Sequence, residues 1–344
     1  MVSLAIEDPK GGITAEDRAP VRPKGTGHVR SAWLLTAPAI ILMIIILIAP
    51  VVIATVLSFS SYSLGSPNFE WVGAENYEKL FTRRTYERMF VATFTYVGVV
   101  VPVSVLLGLG AAMLVNSLHW GGEIYKTIYF LPVMAALLAM AIVWEFMLHP
   151  TIGVINDTLK SGCDVGWFYG LMTSAWVGGD ALDTWYGDAC ANGFPLWLGD
   201  RDYAIWTICF VGIWQAFGFN MVLYLAGLTS VPRELYQAAE MDGAKSAWER
   251  FRLVTWPMLG PTTVFVVTIT SIRSFQVFDT IEAFYPQGGG PGKTAYVMMF
   301  AIYEKAIKQN LIGVGAAITV LFLCFVMAIT LIQRWLVERR VHYS

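Results

Sequence analysis

The chain has 344 residues, of which 56% are hydrophobic and only 14% charged, with a formal net charge of -2. A soluble domain carries roughly 25% charged residues, so this composition excludes an ordinary soluble fold and points into a membrane. The near-neutral balance excludes a nucleic-acid partner, which needs a basic stripe, and the scattered four cysteines and four histidines offer no zinc or haem spacing.

In chain order, residues 1–32 are polar and rich in Gly and Pro, the composition of a disordered tail. The remainder, 33–340, reads as one transmembrane domain. A spanning helix needs about 20 mostly apolar residues, and six segments qualify: 33–60, 89–115, 125–148, 204–229, 258–282 and 311–336. Arg30 precedes the first core as in a signal peptide, but the core is too long and no small-residue cleavage site follows, so it reads as a retained helix. The expected fold is an all-α membrane protein with six transmembrane helices and both termini on one face. The 149–203 stretch holds two basic residues, Lys160 and Arg201, against seven Asp. That balance suits the outside and assigns both termini and the 231–257 loop to the cytoplasm.

Within the external stretch, Cys163 and Cys190 lie 27 positions apart on the oxidising side, whereas Cys209 and Cys324 lie within spans. A Cys163–Cys190 disulfide is the expectation, with two free thiols as the alternative. Trp167, Trp176, Trp185 and Trp197 flank or fill this insert, either packing it as a cap or lying at the membrane interface.

Polar groups inside spans are expensive and mark pathways. Arg273, Gln276 and Asp279 recur every third residue, as one helical face demands. Phe275 and Phe278 adjoin them, and Gln215 and Asn220 supply similar groups in the fourth span. These seven are the candidate substrate-pathway residues, amides and charges able to hydrogen-bond a polar solute beside aromatic faces. A cation this deep needs a partner: Asp279, Glu282, or an anionic group on the substrate, which a planar guanidinium suits. The GGGPGKT run, Gly288–Thr294, imitates a phosphate loop, but Gln287 stands where the motif requires Gly and no strand precedes it. Nucleotide is therefore not expected on this chain.

The 231–257 loop, VPRELYQAAEMDGAKSAWERFRLVTWP, is too charged to sit in hydrocarbon. Pro232 suits a helix start, residues 233–242 read as a short helix with a partly apolar face (Leu235, Ala238, Ala239, Met241), Gly243 permits a turn, and Trp248 and Phe251 can anchor a second segment. This pattern resembles the "EAA" loop of membrane subunits of bacterial ABC importers. Further strings match carbohydrate-importer permeases in order: Trp71-Val72-Gly73 with Asn76-Tyr77 and Leu80-Phe81; Phe130-Leu131-Pro132; Gly218-Phe219-Asn220-Met221; Ser274 through Asp279; and Gly288 through Pro291.

The resemblance implies a type I ABC importer permease (MetI-like) fold and a multi-pass subunit of the bacterial cytoplasmic (inner) membrane, translocating a carbohydrate or a sugar derivative, neutral or anionic. It implies a second homologous permease subunit, two ATPase domains, an extracytoplasmic solute-binding protein and membrane lipid as partners. The chain itself would be no enzyme and hold no cofactor, ATP and Mg belonging to the ATPase. Gln237, Ala238, Ala239, Asp242 and Gly243 become the ATPase-coupling residues. Two features depart from the family pattern: Gln237 replaces the usual Glu, and the spacing from Gly to the closing Pro is one residue longer. The competing reading is an ion-gradient-driven secondary transporter, for which the chain lacks an internal repeat and offers Asp279 as its main carboxylate. A membrane enzyme is disfavoured because His28, His119, His149 and His342 are isolated from one another.

Overall fold

The computed structural model describes residues 26–65, 69–118, 121–165 and 179–338. Residues 1–25 of the expected tail, and Trp167 and Trp176, lie outside them. Among the described residues the regular secondary structure is helical, with one isolated bridge between Ser60 and Trp71. The chain divides into two compact units, Met1–Ile53 and Ala54–Ser344.

In the first unit, α1 (Thr26–Met43) runs through a wide π turn at Ile44–Ile48 into α2 (Ala49–Ser58). Trp33, Leu35, Ile41, Leu42, Ile45 and Ile46 are all exposed. A helix that is apolar all round is one built for lipid or for a larger core.

The second unit begins with the end of α2 and with α3 (Glu75–Thr82), whose buried Asn76 donates to the carbonyls of Ser58 at 2.9 Å and Ser60 at 2.8 Å. Next come α4 (Arg84–Ser117), α5 (Gly122–Met134), α6 (Leu137–Met147), α7 (Val154–Asp164), α8 (Gly179–Asn192) and α9 (Ala204–Thr229). The chain continues with α10 (Arg233–Met241), α11 (Ala247–Arg250), α12 (Gly260–Phe275), α13 (Asp279–Phe284), α14 (Met298–Tyr303) and α15 (Ile312–Glu338).

Among the described residues, five helical stretches are long and apolar enough to cross a membrane: Ala32–Ser58, Arg84–Ser117, Ala204–Thr229, Gly260–Phe284 and Ile312–Gln333. The bent pair α5–α6 makes six if counted as one broken span. The apolar run 125–148 gives two helices, because Ala135 and Ala136 are extended (ψ 140° and 120°) just after Pro132. Proline removes a helical hydrogen bond and crowds the preceding turn, which makes this an economical place to break.

Helices α4 and α9 form the central contact. At Gly108 of α4 an added Cβ would lie 2.7 Å from the Cβ of Asn220 on α9, so only a hydrogen side chain allows this approach. Met221, Tyr224 and Leu259 pack with Leu109 and Val266 in one buried cluster. A second core gathers Tyr86 and Met89 with Tyr296, Met298 and Phe300.

Among its described residues the insert presents the helices α7 and α8. Cys163 on α7 and Cys190 on α8 are joined by a disulfide with a Cα–Cα distance of 5.9 Å. Tyr186 donates to the Leu159 carbonyl at 2.9 Å, Trp185 Nε1 to the Tyr203 hydroxyl at 2.9 Å, and Trp197 Nε1 to Asn156 Oδ1 at 2.6 Å. Both tryptophans therefore pack the insert with their indole N–H groups satisfied.

Candidate functional site

Between α4, α9 and the end of α12 lies a cavity of about 290 Å³. Gln215, Asn220, Arg273, Gln276, Phe278 and Asp279 line it, six of the seven residues expected in the substrate path. Phe275 does not. It is 1% exposed and packs edge-on against Phe94 and Phe322, because it lies on the core side of α12.

The geometry that gathers these residues differs from the sequence expectation. Helix α12 stops at Phe275, Gln276 caps it, Phe278 has φ -142° and ψ -56°, and a new helix begins at Asp279. Thus no single helical face carries Arg273, Gln276 and Asp279; a break in the span turns all three toward the cavity. Irregular backbone at membrane depth is tolerated where it lines a cavity or is buried in protein.

Asn220 is fully buried, and its amide is engaged within the bundle. Its Oδ1 accepts from Thr270 at 2.7 Å, and its Nδ2 donates to Ser104 at 3.2 Å. It lines the cavity and at the same time ties α4, α9 and α12 together.

The expected pairing of Arg273 with Asp279 or Glu282 does not occur. Glu282 is bonded to Lys308 at 2.9 Å, and Lys308 also donates to the Pro286 carbonyl at 2.6 Å. The Arg273 guanidinium instead sits 4.1 Å from the centre of the Phe219 ring. Among the described residues no ion pair includes it, and its side chain donates to no protein acceptor. Arg273, Gln276 and Asp279 are exposed, although they flank a break inside an apolar span. Sequence reasoning missed Phe219 and Tyr96 as cavity walls; the position of Phe219 directly before Asn220 was the available signal.

The loop between α9 and α12 is a second candidate site. Pro232 precedes α10, Asp242 closes it, and Gly243 takes φ +99°, a left-handed turn that glycine adopts freely. Ser246 and Glu249 form a reciprocal capping box at 3.1 and 2.9 Å. The Ser246 backbone N–H, which donates to the carboxylate, holds the Glu249 carboxyl below its ordinary range. Val231, Ala239, Ala244 and Val254 make a small core with Tyr236, and Arg250 pairs with Glu240.

Of the expected coupling residues, Gln237, Ala238, Asp242 and Gly243 are exposed. Ala239 is not: at 9% exposure it belongs to the loop's own core, a correction that follows from its opposite position on α10. Trp248 is 69% exposed and stacks on Phe251. Met241, at 89% exposure, adds an apolar side chain to the free surface.

Residues 83–342 match the family described as "Binding-protein-dependent transport system inner membrane component". The chain belongs to this family. It is a multi-pass membrane permease, a transport component. The sulfoquinovosyl glycerol transport system permease protein SmoG of Agrobacterium fabrum is 30% identical over 87% of this permease and 87% of its own length. A probable starch degradation products transport system permease protein, AmyD of Thermoanaerobacterium thermosulfurigenes, is 26% identical over 90% and 94%. The sn-glycerol-3-phosphate transport system permease protein UgpA of Pectobacterium atrosepticum is 27% identical over 92% and 97%. A chain from the crystal structure of a bacterial ABC transporter that imports the acidic polysaccharide alginate superimposes with a TM-score of 0.70, at 22% identity, covering 92% of this permease and 99% of that chain. The fold is thus that of an ABC importer permease, and these comparisons do not support the gradient-driven alternative.

Proposed function

We propose that this permease is one of two related membrane subunits of an ATP-driven importer, carrying a carbohydrate or sugar derivative received from an extracytoplasmic solute-binding protein. Two ATPase domains bind ATP and Mg on the cytoplasmic side, where both termini also lie, and this chain contributes no cofactor of its own. The 231–257 loop docks on an ATPase domain through Gln237, Ala238, Met241, Asp242 and Gly243.

The observation that carries this reading is that loop. It is a self-supported helical element with its own small core, set between two spans, and its outer face is exposed. An exposed helix with small side chains fits a partner groove. Relatives named for starch degradation products, arabinooligosaccharides and sulfoquinovosyl glycerol support a carbohydrate cargo. So does the cavity, in which polar side chains alternate with Tyr96, Phe219 and Phe278. A polar cavity wall exposed at membrane depth must be shielded from lipid, and a second permease across it supplies that cover.

The test is ATP hydrolysis by the reconstituted complex in liposomes, with the solute-binding protein and a panel of sugars. Stimulation that needs both the binding protein and one sugar is the expected result. A complex that assembles no ATPase, or whose ATPase ignores every sugar, overturns the reading.

A further inference from the structure

We infer that the cavity takes a sugar derivative bearing an oxyanion, a carboxylate, phosphate or sulfonate, held by Arg273. This rests on the carbohydrate reading and sharpens it to a substrate class.

Arg273 offers five N–H donors, and among the described residues none is bonded to protein. Phe219 covers one side of the guanidinium at 4.1 Å and so stabilises the cation without using its donors. The two carboxylates nearest in sequence do not quench it. Glu282 is engaged by Lys308, and Asp279, though on the same cavity wall, forms no ion pair among the described residues. A bare charge in a span costs a few kcal/mol on insertion by translocon scales, so an unpartnered arginine at this depth needs a use.

The rest of the wall suits the remainder of a sugar. Among the described residues, the side chains of Gln215, Gln276 and Asp279 make no hydrogen bond to protein. Asp279 can only accept, which fits hydroxyl donors and repels an oxyanion. The glutamines can do either. An acidic sugar presents both chemistries at once: an oxyanion for the planar fork of Arg273 and hydroxyls for Asp279. A neutral sugar offers the arginine hydroxyl oxygens alone.

The experiment uses the complete importer in proteoliposomes and a panel of matched mono- and oligosaccharides, each neutral sugar paired with its carboxylate, 6-phosphate and 6-sulfonate forms. Expected is uptake of an acidic member and not of its neutral twin. Arg273→Gln should lower that uptake on the order of ten- to a hundred-fold, and Arg273→Lys should restore part of it, with both variants co-purifying normally with ATPase. The acidic member that is carried identifies which oxyanion is read. Neutral and acidic twins carried alike, or acidic uptake untouched in Arg273→Gln, overturns the inference and leaves the importer reading intact. If no sugar is carried by the wild type, the carbohydrate reading fails and this one with it.

Discussion

Thr270 donates to Asn220 at 2.7 Å across the α9–α12 interface, and the same amide donates to Ser104 on α4. One buried side chain thereby links three spans at the cavity wall. Hydrogen bonds between membrane helices contribute about 0.6 to 2 kcal/mol, because the separated helices also find partners. Asn220→Ala should lower stability by about 1–2 kcal/mol, read as a lower unfolding midpoint of the solubilised complex. Gly108→Ala tests the packing half of the same crossing, since the new Cβ would meet the Cβ of Asn220 at 2.7 Å. Overpacking of this kind costs about 1–3 kcal/mol. A midpoint unmoved in both variants would mean that α4 and α9 do not cross as described.

The capping box gives the 231–257 loop a pH dependence with a definite sign. Glu249 is held below its ordinary value of 4.5 by the hydrogen bond from the Ser246 backbone N–H. A depressed carboxyl contributes stability that is fully present above 4.5 and is lost as pH falls through its lowered value. Amide protection around Ser246–Arg250, corrected for intrinsic exchange, should therefore be level near neutrality and fall on acidification below that point. Ser246→Ala should weaken protection at neutral pH by about 1 kcal/mol and flatten the acid response. Equal acid sensitivity in wild type and variant would show that the box does not govern the loop.

Docking and loop integrity are separable on α10. Ala238 is exposed and Ala239 is buried against Val231 and Val254. Ala238→Glu should abolish co-purification with the ATPase while leaving the loop as protease-resistant as in wild type. Ala239→Glu should fail on both counts, since a carboxylate cannot be buried there without a partner. Co-purification that survives Ala238→Glu would remove α10 from the ATPase interface.

The six apolar runs were legible because hydrocarbon imposes length and composition directly on sequence. Breaks within those runs were much harder to read. Pro132 hints at the end of α5, but the segment Ser274-Phe275-Gln276-Val277-Phe278-Asp279 contains neither Gly nor Pro, and its period-three polar residues imitate an unbroken helical face. The same site was therefore reached by a wrong geometric route, and Phe275 was assigned to the cavity when it faces the core. Ala239 failed for a related reason: a small residue serves a packed core as well as a docking face, and only the fold of α10 against Val254 decides between them. The sequence left open whether Arg273 pairs with Asp279, Glu282 or a substrate anion, and only the fold shows Glu282 taken by Lys308, 35 positions after Arg273.

The Cys163–Cys190 bridge joins α7 and α8 across a separation of 27 residues. Closing a loop of that length removes denatured-state entropy equivalent to about 3–4 kcal/mol in the chain-entropy model. The insert also has its own contacts, Tyr186 to Leu159 and Trp197 to Asn156, which reduction leaves in place. Cys163→Ser with Cys190→Ser should therefore speed proteolysis within 149–203 markedly, while the unfolding midpoint of the transmembrane bundle stays where it was. Mass spectrometry without reduction checks the premise, because an intact wild-type bridge leaves no alkylatable thiol at either position. If removing the bridge instead unfolds the bundle, the insert is part of the membrane domain's stability and not an appendage closed by its own disulfide.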